Sequence, residues 1–245
     1  MASLIEINNL SLSLGSNTVF ENVNFILSER EVIFLSGDNG SGKSTLLKAI
    51  FGDTSGMTIK GEILFRSKNI LDSTFKLQDF RKHIGYVPQE DSFCEDTPFK
   101  EVLYSYRLHS GKDDKDYIND LFDKFGISYL KNKRLFSRRG PELSGGEKKM
   151  VSLLAVLCRK ESELFLIDEP LNNLDSKHVK TISNMITSIH ETNPKAGIII
   201  VTHCHALSCI GKQYRIDKKH IYLMAEKYEC FNCFGCADDK GYYKL

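Results

Sequence analysis

The stretch SGDNGSGKST, residues 36 to 45, restricts the fold of this 245-residue chain more than any other segment of its length. Gly37, Gly42, Lys43 and Ser44 fit the spacing G-x-x-x-x-G-K-[ST], with Asn39, Gly40 and Ser41 inside the loop and Thr45 directly after it. In such a loop the glycines let backbone N–H groups turn inward around a phosphate, the lysine neutralises charge, and the hydroxyl binds Mg2+. The flanks supply the order this chemistry needs. EVIFLSG reads as a short buried strand, and KSTLLKAIF places Leu46, Leu47 and Ile50 at helical spacing. A helix N-terminus with free N–H groups then points at the phosphates.

The rest of the chain continues this alternation. IEINNLSLSL, NFIL, VIFL and GEILF read as strands in the amino-terminal third, and IGYVPQ as a further short one. PFKEVLYSYRL and DKDYINDLFDKFGI have helical apolar spacing, which predicts a helical insertion over about residues 92–145. GGEKKMVSLLAVLCRK reads as a buried helix, LFLID and GIIIVTH as fully buried strands, and SKHVKTISNMITSIHE as one amphipathic helix. Apolar strands alternating with helices imply an α/β fold with a parallel sheet covered on both faces. Residues 1–225 read as a single domain and 226–245 as a cysteine-containing tail.

Charge and hydropathy exclude several classes. Lys and Arg total 33 against 32 Asp and Glu, so no nucleic acid is expected as the main partner. No apolar run is long enough to span a bilayer, and the first residues lack the pattern of an export signal, so a cytoplasmic protein with reduced thiols is expected.

LFLIDEP, residues 164 to 170, ends a buried strand in two carboxylates. Asp168 can hold Mg2+ beside the phosphate loop, and Glu169 can orient an attacking water or take its proton. LSGGE, residues 143 to 147, places the hydroxyl of Ser144 and the backbone of Gly145 and Gly146 at a helix start, which is a second anion site. Two phosphate-binding elements exceed what one nucleotide needs. Two chains face to face, each completing the other's site, resolve the excess.

Taken in order, GDNGSGKST, Gln89 in YVPQ, LSGGE, LFLIDEP, NNLD and VTH strongly resemble the ATPase subunit of ATP-binding-cassette transporters, over nearly the whole chain to about residue 225. The resemblance implies a P-loop NTPase (RecA-like) core, an N-terminal antiparallel β-subdomain and an inserted α-helical subdomain. It implies ATP and Mg2+ as cofactors, with Gly37, Asn39, Gly40, Ser41, Gly42, Lys43, Ser44 and Thr45 around the phosphates and Ser44, Gln89 and Asp168 at the metal. Glu169 would be the catalytic carboxylate, Gln89 would sense metal and water, and His203 would contact the γ-phosphate. Asp175 would lie at the dimer seam, with Ser144, Gly145 and Gly146 closing over the ATP of the other subunit. The implied partners are a membrane-spanning permease, which would dock around the Gln89 loop and EDSFCEDTPF, and a second cassette, identical or related. The implied place is the cytoplasmic face of the membrane. A cassette ATPase that remodels a soluble complex, of the iron–sulfur assembly type, is the alternative that LSGGEKK and the cysteine tail suggest.

One feature departs from the family pattern, and two others stand outside it. Where family members stack an aromatic on adenine this chain has Leu14, with Phe20 as a substitute or a core residue. Cys230, Cys233 and Cys236 have metal-like spacing but lack the fourth local ligand, since position 240 is Lys240; Cys204, Cys209 or His205 could supply it, and a reduced tail is the simpler expectation. Lys131, Lys133, Arg134, Arg138 and Arg139 form a basic cluster that reads as a solvated face.

Overall fold

The computed structural model describes residues 2–135, 143–202 and 211–225. In the first strand, β1 (Ser3–Leu14), alternation of apolar and polar residues breaks parity at Leu4 and Ile5 and again at Asn8 and Asn9. The backbone absorbs the second step as a bulge, with Asn9 at φ 50° and the register to its neighbours shifting there, so that Ile5, Ile7, Leu10 and Leu12 are all buried. β2 (Asn17–Ser28) pairs antiparallel on one side of β1.

β3 (Val32–Gly37) leads through the glycine loop into α1 (Lys43–Ile50), after which β4 (Met57–Phe65) returns to the other edge of β1. Gly61 of β4 lies at φ +93°, and a Cβ there would stand 2.4 Å from the Asn9 carbonyl oxygen, so the bulge requires glycine opposite it. The short β5 (Lys68–Asn69) completes a four-stranded antiparallel sheet of order β2-β1-β4-β5.

α2 (Leu77–Lys82) and β6 (Ile84–Val87) follow, then α3 (Pro98–Ser110), started by a Thr97 cap with proline in its first turn and ended by Gly111 at φ +71°. α4 (Lys115–Lys124) and a single 3-10 turn (Ser128–Leu130) precede α5 (Gly145–Leu157). β7 (Leu164–Asp168), α6 (Ser176–Thr187), α7 (Ile189–Thr192), β8 (Gly197–Val201), β9 (Lys212–Asp217) and β10 (His220–Ala225) complete the described chain.

The second sheet has six strands in the order β10-β9-β3-β8-β7-β6, all parallel except the β9–β10 hairpin. Its central strands are buried at nearly every position and mostly apolar, because successive side chains feed both faces. Phe34, Phe165, Ile167, Ile198 and Ile200 join the core built with α3, α4, α5 and α6, whereas Ile33, Leu35, Leu164, Leu166 and Ile199 join the core shared with α1 and the antiparallel sheet. The expected α/β class, with a parallel sheet, an antiparallel β-layer and helices following residue 92, is what the chain forms.

Two elements differ from the sequence expectation. The amphipathic run expected as one helix divides at Ser188, where the Ser188 hydroxyl donates to the Met185 carbonyl at 2.8 Å and the Thr187 hydroxyl to the Asn184 carbonyl at 3.1 Å, competing with helix propagation. The β9–β10 hairpin had no sequence reading; it turns on Lys218 and Lys219, both at positive φ. No helix among the described residues is long and apolar enough to cross a membrane.

Candidate functional site

β3, β8, β7 and β6 are parallel neighbours, so their carboxyl ends fall on one edge of the sheet. That edge carries the glycine loop after β3, Asp168 and Glu169 after β7, and Gln89 just beyond β6. Residues widely separated in sequence meet there because strand polarity is shared, the usual origin of a ligand site in an open α/β sheet. His203 follows β8 but lies outside the described residues, as do Cys204, His205, Cys209, Arg138, Arg139 and the tail with Cys230, Cys233 and Cys236.

Two glycines of the loop are required by their surroundings. Gly37, at φ +151°, has the Ile216 carbonyl and the Ser41 hydroxyl each 2.8 Å from where a Cβ would be. Gly42, at φ +100°, is pressed by Val19 Cγ1 at 2.3 Å and Phe20 at 2.9 Å. Asn39 and Gly40 are exposed at the loop tip, while Ser41, Ser44 and Thr45 are half-buried. Phe20 is fully buried beneath the loop, so it is a core residue with no face for a base, and Leu14 is 40% exposed at the end of β1.

Lys43 is buried at the start of α1 and donates from Nζ to the Gly37 carbonyl at 2.8 Å and the Asp38 carbonyl at 3.0 Å. Burial lowers its pKa, opposed by the nearby Glu169, Asp168 and Asp38 carboxylates. Asp168 is 1% exposed, and its Oδ1 has no hydrogen-bond partner among the described residues. Burial raises its pKa, while a hydrogen bond from Ser44 favours the carboxylate and the adjacent Glu169 disfavours it. A buried carboxylate oxygen without a donor is costly unless a cation or donor supplies its contact. Ser44, Asp168 and the nearby lysine therefore form a donor set that fits Mg2+ and a phosphate chain.

Glu169 begins the next turn at φ 48°, with its N–H donated to the Val201 carbonyl at 2.9 Å. The Asn172 amide donates to its Oε2 at 2.5 Å, fixing the direction of the carboxylate. The turn ends at Asp175, which caps α6 by accepting from the His178 N–H at 2.9 Å and pairs with the His178 ring Nδ1 at 2.8 Å. The His178 backbone and ring together hold the Asp175 carboxyl below the usual range.

LSGGE forms the N-terminus of α5 as a capping box. The Glu147 N–H donates to the Ser144 hydroxyl at 3.2 Å, and the Ser144 N–H donates to Glu147 Oε2 at 2.9 Å. Ser144 and Gly145 are exposed, while Gly146 is buried against His178, with the ring Cγ 2.7 Å from where a Cβ would stand. Lys133 of the basic cluster pairs with Glu147 at 2.7 Å and Lys131 with Asp123 at 3.2 Å, so these two charges are met within the chain. α1 packs in the core on one face of the six-stranded sheet and α5 in the core on the other. The starts of α1 and α5 thus belong to opposite sides of the sheet.

Sequence reasoning did not single out Lys149 and His178, which touch Gln89 and Gly146. The available signal was a lysine on the apolar side of a helix otherwise reading MVSLLAVL.

A family model described as "ABC transporter" matches residues 20–172. The phosphate import ATP-binding protein PstB of Oceanobacillus iheyensis is 31% identical over 200 residues, covering 79% of this chain and 71% of that protein. The manganese transport system ATP-binding protein MntB of Halalkalibacterium halodurans is 30% identical over 224 residues, covering 87% of this chain and 81% of its own. A solved structure titled as the ATP-binding subunit of an ABC transporter superposes with a TM-score of 0.72 over 90% of both chains at 23% identity, which establishes likeness of fold.

Proposed function

The chain belongs to the ABC transporter ATP-binding family, ATPases coupled to transport, and from that premise we propose that two such cassettes close around two ATP molecules and drive a separate membrane-spanning permease. The observation that carries this reading is the buried Asp168 carboxylate, hydrogen-bonded by Ser44 and close to Lys43, at the edge where the glycine loop opens.

In this reading Lys43 exchanges the Gly37 and Asp38 carbonyls for phosphate oxygens. Gly37, Asn39, Gly40, Ser41, Gly42, Ser44 and Thr45 line the phosphate chain, and Ser44, Gln89 and Asp168 hold Mg2+. The bound metal supplies charge neutralisation for the phosphoryl group being transferred. Glu169, oriented by Asn172, accepts a proton from the attacking water, and His203, two residues after β8 in the sequence, contacts the γ-phosphate. Ser144, Gly145 and Gly146 serve the nucleotide of the opposite cassette, because α5 packs on the sheet face away from α1. Asp175 lies at the seam. The division of the chain is part of the same proposal: residues 1–225 are one ATPase domain with its helical insertion at about 92–145, and 226–245 are a tail.

A cavity of about 430 Å³ opens beside the Gln89 loop, walled by Phe51, Tyr86, Phe93, Leu108 and Arg159. Its aromatic walls and exposed Leu108 suit an apolar segment of the permease at the cytoplasmic face of the membrane. Purification of a tagged Glu169→Gln chain with ATP from gently solubilised native membranes tests the reading. A copurifying multi-span protein supports it. Recovery of a soluble scaffold without any membrane protein overturns it in favour of a remodelling ATPase.

A further inference from the structure

Lys149 is a charged residue in the middle of an apolar helix, only 7% exposed, and its ammonium has three oxygen partners on one loop. It donates to the Pro88 carbonyl at 2.9 Å and the Gln89 carbonyl at 3.0 Å, and pairs with Asp91 at 3.0 Å. Asp91 is itself largely buried, so neither charge is at home in solvent. A few residues further on, the carboxylate of Glu101 in α3, buried too, accepts the Cys94 and Glu95 N–H groups, both at 2.8 Å. The segment from Pro88 to Glu95 is therefore fastened at both ends to helices α5 and α3. The Gln89 side chain is exposed, whereas its backbone is held.

We infer that Lys149 is a positioning residue for Gln89: it makes the loop move with the helix that begins at Ser144, so that displacement of α5 changes where the Gln89 amide stands relative to the metal. The inference rests on the proposed role of Gln89 at the metal and extends it to a residue nothing in the motif set assigns. The chemistry favours such a strut over a neutral side chain. The ammonium donates to two fixed carbonyls and sits beside the Asp91 carboxylate as an ion pair, and removing it leaves a buried carboxylate and two carbonyls without their partner. Ser92 and Phe93, between the two fastenings, line the cavity assigned to the permease, so a segment seated there bears on the same strut.

The test is a titration of Mn2+, in place of Mg2+, by electron paramagnetic resonance with ATP present, using the full chain carrying Glu169→Gln. Lys149→Met is expected to weaken Mn2+ binding about tenfold, in the range seen when an outer partner of a metal ligand is lost. ATP binding measured without metal should change less than about twofold, since Lys149 touches no loop that holds phosphate. In a Gln89→Ala background the same substitution should have no further effect on Mn2+, which a merely structural lysine would not satisfy. Should Lys149→Met fail to fold because Asp91 is stranded, Lys149→Met combined with Asp91→Leu removes both charges and carries the same comparison. Unchanged Mn2+ affinity, or equal losses of metal-free ATP binding, overturns the inference alone. If the parent chain binds no Mn2+ with ATP, the reading of the metal site fails, and the role of Lys149 with it.

Discussion

Replacing Gly146 by Ala places a methyl group where the structure has the ring of His178. The new Cβ would stand 2.7 Å from Cγ and 2.9 Å from Cδ2, closer than carbon atoms approach without displacement. The ring is not free to retreat, because Nδ1 is paired with Asp175 at 2.8 Å and the His178 N–H is committed to the same carboxylate. Overpacking of this kind costs about 1–3 kcal/mol. Against that, alanine in place of a helical glycine gains at most about 0.5–1 kcal/mol. The parent protein should therefore lose up to about 2.5 kcal/mol, which for a chain of this size is a fall in Tm of up to about 10 °C. In a His178→Ala background the obstacle is gone, and the same substitution should become neutral or raise Tm by about 1–4 °C. Thermal melts of the four proteins form a double-mutant cycle whose coupling energy should be about 1–3 kcal/mol. An equal cost of Gly146→Ala in both backgrounds would refute the claim that His178 is why this position is glycine.

Further outcomes follow from the same contacts. Lys43→Ala should weaken ATP binding about 10- to 100-fold, the loss of one charge-assisted hydrogen-bonding partner, measured by equilibrium dialysis. Because burial raises the Asp168 pKa, the folded nucleotide-free chain keeps its proton above the ordinary value of 3.8, where the unfolded chain has released it, so this group's contribution to stability falls as pH rises through that window. Asp168→Asn should therefore gain Tm relative to the parent as pH rises from acid to neutral, while losing the extra stabilisation that Mg2+ adds to ATP; a constant Tm difference across pH would count against the burial argument. Gly42→Ala, at φ +100° and pressed by Val19 and Phe20, should lower Tm by roughly 4–16 °C, from about 2–4 kcal/mol of strain and overpacking, read by circular dichroism.

The sheet that builds the site was legible because its central strands are buried on both faces. VIFL, LFLID and GIIIV are continuous apolar runs, and a parallel sheet is the arrangement that buries both sides of each. The glycine loop was legible for the same local reason: backbone conformation and close approach demand glycine at Gly37 and Gly42. What was not legible depends on pairings between distant segments. Nothing in the local sequence around Lys149 names Pro88, Gln89 and Asp91 as its partners, and nothing around Gly146 names His178. The β9–β10 hairpin was silent because its turn uses Lys218 and Lys219 at positive φ, where a sequence signal would be Asn or Gly. The division of the helix at Ser188 was hidden because serine and threonine hydroxyls compete for helix carbonyls only in a rotamer that spacing does not reveal.

The most direct measurement compares the purified parent and the Glu169→Gln chain for steady-state ATP hydrolysis and for association state by light scattering, with and without Mg2+ and ATP. Hydrolysis should fall by at least about a hundredfold in the variant, as for a general base, ATP binding should persist, and a dimer should accumulate that the parent shows only transiently. Hydrolysis at the parent rate, with no ATP-dependent association, would contradict both the assignment of Glu169 and the shared site between two cassettes.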